Sequence, residues 1–299
     1  LNAPRRAPRR VVDGVLLLDK PLGLSSNGAL QSARRLYNAA KAGHTGTLDP
    51  LATGLLPLCF GEATKFASAL LDADKEYAAT LQLGVVTDTG DAEGAVLQRR
   101  PVNVTQADVD AVLPRLTGAI LQIPPMHSAL KRDGKPLYAY ARAGIEVERK
   151  PRPVTIHHLQ SIAFAGDRLS ITVGCSKGTY VRTLAEDIGN LLGCGAHLTA
   201  LRRTRIGRLE IADAVTLDRL EQCAENERIG LLEPVDSLLV DWPAVMLEET
   251  AATLFRHGQI VACLATTGGL VRVHFGTRFL GLGDADGNGQ LRPKRLVAS

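Results

Sequence analysis

No apolar run in this chain approaches the roughly 20 residues that a membrane-spanning helix requires. The opening stretch, LNAPRRAPRRVVDG, has no apolar segment ahead of a small-residue cleavage site, so it does not read as a secretory signal. Cys59, Cys175, Cys194, Cys223 and Cys263 are odd in number, widely spaced and contain no C-x-x-C. That pattern speaks against a disulfide framework and against a zinc site, and fits a reducing cytoplasm. Walker loops, H-E-x-x-H and G-x-G-x-x-G are all missing. A strong net charge is missing too: +4 over 299 residues does not by itself announce a nucleic-acid partner.

What is present is the composition of a soluble globular protein, 45% hydrophobic and 22% charged, long enough for one large domain or two unequal ones. The positive charge is clustered. Residues 1–10 carry Arg5, Arg6, Arg9 and Arg10 and read as a basic, flexible tail. Lys131 to Arg152 holds seven basic residues against three acidic, Arg202 to Arg208 four arginines, and Arg292 to Arg295 three basic residues. Clustered Lys and Arg are the usual footprint of phosphate contact, although each run alone also suits a solvated face.

Val15 to Leu18 reads as a buried strand, followed by a helix with Ser25 or Ser26 as N-cap and an end near Ala40. The loop GHTGTLDP leads into the strand LLPLCFG and a helix from Glu62 to about Leu71. EYAATLQLG alternates as a strand, TDTGDAEG is a turn-rich connection, and AVLQRR a partner strand. A helix begins at Thr105 as N-cap and stops at Gly118 as C-cap, with Pro114 near its end. Residues 126–152 are basic, Gly- and Pro-punctuated and weakly periodic, an excursion with one short helix over Leu137 to Gly144. VTIHHLQSIAF and RLSITVGC are strands, and TYVRTLAEDIGNLLG is a helix with Val181, Leu184, Ile188 and Leu191 on one stripe. Without regular βαβ spacing this is an α+β domain with a mixed, mostly antiparallel sheet flanked by helices. Beyond about Val245 a helix and three strands form a small β-rich module.

Several chemical readings fail on their residues. DADGNG begins like a calcium loop, but its twelfth position is Arg295 instead of Glu, so a hairpin turn is expected. His157 and His158 are neighbours in a strand and face opposite ways, which rules out a shared metal. No metal site and no cofactor is expected. Asp49 remains. An Asp before Pro often only shapes a turn. Here the glycines Gly43, Gly46 and Gly54 allow close backbone approach, and Arg182 in SKGTYVRT offers a cation that would keep a partly buried carboxylate ionised. The residues alone reach a one-carboxylate site with aromatic company, nucleophile or base.

LLLDKPLGLSSN (16–27), AGHTGTLDPLATGLLPLCFGEATKF (42–66), KEYAATLQLGVVTDTGDAEG (75–94), IPPMHSALKRDGKPLYAYARAG (123–144), SKGTYVRTLAEDIG (176–189) and LRRTRIG (201–207) resemble the bacterial TruB family of tRNA pseudouridine(55) synthases. The tail is similar, more loosely, to the PUA module that ends family members. The resemblance implies the pseudouridine synthase fold over residues 11–245, an RNA-gripping insertion at about 124–152, and a PUA-like RNA-binding module over 246–299. It implies a cytoplasmic, monomeric enzyme that isomerises uridine 55 in the T stem-loop of tRNA without a cofactor, after base flipping. A non-catalytic RNA-binding or RNA-chaperone protein on the same scaffold, and a nucleosidase releasing the base, are the alternatives. By the family pattern Asp49 is the essential carboxylate, Arg182 its ion-pair partner and Tyr77 the ring that stacks on the uracil. Tyr180 and Leu201 would line the uridine pocket, and His44 would take the space left by flipped loop bases. Lys131, Arg132, Lys135, Arg142 and Arg202 are expected at the RNA backbone, and Lys20 there or in a packing role beneath the loop.

Overall fold

The computed structural model describes residues 8–128, 130–264 and 268–298, so Arg5 and Arg6 lie outside the described residues. The chain runs in order through β1 (Gly14–Lys20), α1 (Ser26–Leu36), β2 (Ala42–His44), β3 (Ala52–Phe60), β4 (Lys75–Leu83), β5 (Val85–Thr87), β6 (Val96–Arg99), α2 (Gln106–Val112) and β7 (Gly118–Gln122). It continues with β8 (Lys131–Arg132), β9 (Lys135–Pro136), α3 (Leu137–Arg142), β10 (Arg152–Ala165), β11 (Arg168–Cys175), α4 (Val181–Leu191), β12 (Ala196–Ile206), β13 (Leu209–Glu210) and β14 (Val215–Thr216). The short helices α5 (Leu217–Gln222) and α6 (Glu225–Arg228) precede a last unit of β15 (Ala244–Met246), α7 (Glu249–Arg256), β16 (Val261–Ala262), β17 (Gly268–Phe275), β18 (Arg278–Asp286) and β19 (Gln290–Leu296).

The main sheet has the order β14-β1-β3-β12-β4-β11-β10-β7, with β2 added to β3 and β13 to β12. Only β1 with β14 and β3 with β12 are parallel, so the sheet is mixed and mostly antiparallel, as expected. The parallel pair at its centre positions the site. Leu201 stands opposite Ala52 and Arg203 opposite Gly54, which brings the loop entering β3 alongside β12. Gly54 is required there. It has φ +99°, and a Cβ would lie 2.3 Å from the Arg203 carbonyl oxygen.

The sequence reading needs correction at several ends. Helix α1 is capped by Ser25, whose hydroxyl accepts from the Gly28 amide, but it stops at Leu36, because Tyr37 caps it and Asn38 turns to φ +46°. The expected helix from Glu62 is two 3₁₀ turns, Gly61–Lys65 and Ala67–Leu70, broken where Phe66 leaves helical geometry at ψ 0°. Thr105 does cap α2, in a reciprocal capping box with Asp108. Gly118, however, opens β7 instead of closing that helix. In α4 the buried stripe is Val181, Leu184, Ala185 and Ile188, while Leu191 in the last turn is 36% exposed. AVLQRR forms a strand but pairs with β5 in a separate two-stranded hairpin, not with EYAATLQLG, whose β4 lies between β12 and β11. DADGNG is a hairpin turn, with Asp286 Oδ1 accepting from the amides of Asn288 (2.7 Å) and Gln290 (2.9 Å).

The C-terminal sheet, β15-β17-β18-β19-β16, packs with α7 around its own core of Val245, Phe255, Val271, Val273 and Leu291. A second cluster joins it to the main body: Phe279, Leu282 and Val297 pack with Phe66, Leu70 and Leu238, and the Phe66 and Phe279 rings meet edge-on at 5.4 Å. No helix among the described residues is long and apolar enough to cross a membrane.

Candidate active site

The loop between β2 and β3 is pinned from below. Leu48 inserts into the core, and its amide and carbonyl are both bound by the buried hydroxyl of Ser26, at 2.7 and 2.9 Å. The Gly23 amide donates to Pro50 O at 2.9 Å, and the Thr45 amide to Pro57 O at 3.1 Å. With Leu48 turned inward, the next side chain faces out: the Asp49 carboxylate is 46% exposed on an anchored backbone. Lys20 lies beneath, fully buried at 0% exposure, its ammonium donating to Pro21 O (2.9 Å) and Leu24 O (2.6 Å). This corrects its placement at the RNA backbone. Burial, offset in part by Asp49, lowers its pKa to about 8. Lys20 therefore holds the Pro21–Leu24 turn against the loop.

Arg182 rises from the first turn of α4 and is 7% exposed. Its Nη2 lies 3.1 Å from Asp49 Oδ2 and donates to His127 O at 2.6 Å. Its Nη1 lies 3.4 Å from Asp91 Oδ2 and donates to Thr89 O at 3.2 Å. The expected Asp49–Arg182 pair is present in this geometry, and a second carboxylate shares the guanidinium. Asp91 is only 3% exposed; its Oδ1 accepts from the Thr89 hydroxyl at 2.6 Å and from the Glu93 amide at 3.0 Å. The reading of TDTGDAEG as a turn-rich connection missed Asp91. The only signal was an acid between two glycines, which an ordinary turn shares. Because a buried guanidinium is costly without partners, Asp91 stabilises Arg182 in place and leaves Asp49 free to be approached.

Tyr77 on β4, Leu201 and Arg203 on β12, Tyr180 at the N-cap of α4, Asp49 and Arg182 line one cavity of about 280 Å³. The hydroxyls of Tyr77 and Tyr180 are both pushed above the usual phenol range, chiefly by burial, so both keep their protons at neutral pH. Gln122 fixes Tyr180 by accepting from its amide (3.0 Å) and donating to its carbonyl (3.3 Å). On the other side of Asp49 and Arg182 lies a wider groove of about 520 Å³ that contains His44, Asp91, Tyr138 and Arg142. The imidazole of His44 is pushed below the usual range by burial and then by the charge of Arg203, and its Nδ1 is buried without a hydrogen-bond partner. Asp49 and Arg182 thus form the wall shared by a small, tyrosine-lined pocket and an open groove.

The other expected residues fall in two groups. Lys131, Arg132 and Lys135 lie exposed on the β8–β9 hairpin, and Arg142 on α3 sits over the Tyr138 ring at 5.4 Å, facing the groove. Arg202 is engaged differently, as a two-pronged pair with Asp19 at 2.9 and 2.7 Å. His157 meets Asp74 (3.2 Å) and His158 meets Glu76 (3.7 Å), so the two histidines serve separate acids. No cluster of three or more His, Cys, Asp or Glu suited to a metal occurs among the described residues. Missed altogether was Arg203, at 1% exposure the largest fully buried side chain.

Residues 34–181 match the model of the TruB family pseudouridylate synthase N-terminal domain, 182–240 that of the tRNA pseudouridylate synthase B C-terminal domain, and 243–297 that of the pseudouridine synthase II TruB C-terminal region. A protein named tRNA pseudouridine synthase B from Aromatoleum aromaticum (strain EbN1) is 62% identical over 294 residues, covering 98% of this chain and 96% of its own. Its namesake from Azoarcus sp. (strain BH72) is 60% identical over 295 residues, covering 99% and 98%. The fold is also similar to that of one chain in a crystal structure of a Cbf5-Nop10-Gar1 complex, with a TM-score of 0.71 at 26% identity over 97% of this chain and 85% of the other. With the matches spanning nearly its whole length, the chain belongs to the TruB family of pseudouridylate synthases.

Proposed function

We propose that this chain isomerises uridine to pseudouridine in tRNA, the reaction for which its relatives are named, with Asp49 as the acting carboxylate. One observation carries the reading. The accessible carboxylate of Asp49 is held by a buried arginine whose charge is shared with Asp91, at the mouth of a pocket floored by Tyr77 and Leu201. The target is uridine 55, in the T stem-loop. The uridine leaves the RNA stack, its base enters the pocket, and Tyr77 offers the ring on which it stacks. Stacking of that kind contributes about 1–3 kcal/mol and offsets much of the unstacking cost. Asp49 then acts at the sugar side, Tyr180 sits near the base, and His44 fills the groove behind the flipped nucleotide. Lys131, Arg132, Lys135 and Arg142 meet phosphates, which contributes salt-dependent affinity and no base choice. The module after residue 245 adds a PUA-like RNA contact, and the enzyme works as a cytoplasmic monomer.

Chemically the reaction is balanced within the substrate. The C1′–N1 bond breaks, the C1′–C5 bond forms, C5 loses a proton and N1 gains one. Incubating the chain with an unmodified tRNA transcript and mapping pseudouridine tests the reading. Product at a single T-loop uridine supports it. Free uracil would mean a nucleosidase, and tight RNA binding with no product would leave an RNA-binding protein on this scaffold.

A further inference from the structure

Arg203 is a buried cation without a counter-ion. Arg182, Arg202 and Arg205 each meet a carboxylate, whereas no carboxylate lies within 4 Å of the Arg203 guanidinium among the described residues. Its partners are neutral. Nε donates to Leu55 O at 2.8 Å, and Nη2 reaches Gly46 O at 3.5 Å. A guanidinium has five N–H donors, so donors are left over, and it keeps its charge at any working pH. Burying such an ion unpaired is costly. The cost falls at one place: Arg203 stands in register with Tyr77 on one side and Gly54 on the other, and lines the small pocket with Asp49 and Leu201. Its field reaches the neighbours of that pocket, since it helps to hold both His44 and Lys75 below their usual ranges.

A pocket lined by a buried cation that pairs with no carboxylate among the described residues favours an anion, and the reaction generates one. When C1′–N1 breaks, the bonding electron pair leaves with the base, as a uracil anion whose charge spreads over N1, O2 and O4. This holds whether Asp49 attacks C1′ or removes the 2′ proton of the sugar. We infer that Arg203 stabilises the detached uracil anion while it turns from N1 to C5. It does so as a fixed charge beneath Tyr77, preorganised before the bond breaks. The inference rests on the isomerase reading above. Joining C5 to C1′ returns the base to neutrality, and loss of the C5 proton with gain of one at N1 then completes the product.

The test varies the acidity of the departing base. Arg203→Met and Arg203→Gln remove the charge, and Arg203→Lys retains it; thermal melts establish that each is folded. Single-turnover rates are measured at saturating enzyme on tRNA carrying uridine or 5-fluorouridine at the target, following loss of the starting nucleoside. With uridine the neutral variants are expected to slow by about 100-fold at nearly unchanged tRNA affinity. With 5-fluorouridine, whose base carries negative charge more readily, the deficit should shrink to less than about 10-fold, and Lys should restore most of the rate. An equal deficit with both bases, or lost affinity without lost rate, would overturn the inference in favour of a structural or phosphate-binding role. A measurement on the unaltered chain stands beside it: 5-nitrouracil, ionised near neutral pH, should bind more tightly than neutral uracil, and equal affinity would count against Arg203. If the unaltered chain forms no pseudouridine, the isomerase reading and this inference fall together. If it does and Arg203→Met keeps the full rate, the inference alone fails.

Discussion

Asp49 is chemically ordinary and structurally unusual: an accessible carboxylate on a backbone held by Ser26, Gly23 and Thr45, with a buried arginine behind it. Asp49→Asn preserves its shape and removes its charge, so turnover should fall by at least about 1,000-fold while tRNA affinity changes little. Single-turnover kinetics and a filter-binding assay check the two halves. Asp91 is different, because its partner is buried with it. Asp91→Ala leaves Arg182 half-neutralised, and chemical denaturation should show a loss of about 3–5 kcal/mol together with reduced activity. Lys20 gives a pH signature. Its pKa is lowered on folding to about 8, so between about 8 and its ordinary 10.5 the unfolded chain binds more protons and stability rises with pH. Relative to Lys20→Met, the unaltered chain should gain a few kcal/mol across that window, read as a rise in its melting temperature relative to the variant's; a pH-independent difference would contradict the burial account. Asp49 was legible in the sequence because a family motif surrounds it. Asp91 and Arg203 were not, since burial of a charge depends on partners about 90 to 150 residues away, and local spacing carries no trace of that.

At the scale of elements, the parallel β3–β12 pairing makes the site. It requires Gly54, where a side chain would collide with the Arg203 backbone in a left-handed conformation. Gly54→Ala should cost about 2–4 kcal/mol by denaturant unfolding and lower activity, whereas Gly178→Ala, where a Cβ meets open space, should cost only the strain of its positive φ. The exposed cations of the β8–β9 hairpin are proposed to act on RNA by charge. Neutralising Lys131, Arg132 and Lys135 should weaken tRNA binding and reduce the slope of log affinity against log salt by about 2–3. An unchanged slope would remove this hairpin from the phosphate contacts. Strands and their alternation were readable because period-2 patterns report which face is buried. The 3₁₀ turns at 61–70 were not, since their residues suit an α-helix, while Phe66 between them packs both into the main body and against Phe279 of the C-terminal module.

As a whole molecule, the chain binds its C-terminal module to the catalytic body through a shared apolar cluster and a set of polar ties. Lys65 donates to Leu296 O at 2.9 Å, Glu62 accepts from the Ala298 amide at 2.6 Å, and Asp236 pairs with both Arg272 (3.2 Å) and His274 (3.0 Å). Phe279→Ala should therefore lower the stability of the junction by about 1–3 kcal/mol, seen as earlier hydrogen exchange on both sides of it. The two-part organisation was visible as a shift in composition near Val245. The contact between the parts was not, because it joins Phe66 to Phe279 across most of the sequence.

The central claim, that Asp49 isomerises a uridine held in the tyrosine-lined pocket, is tested most directly by mapping pseudouridine in an unmodified tRNA transcript after incubation with the unaltered chain and with Asp49→Asn. Pseudouridine at position 55 with the first, and none with an equally well-bound second, is the expected result. Product from Asp49→Asn, or free uracil from the unaltered chain, would contradict it.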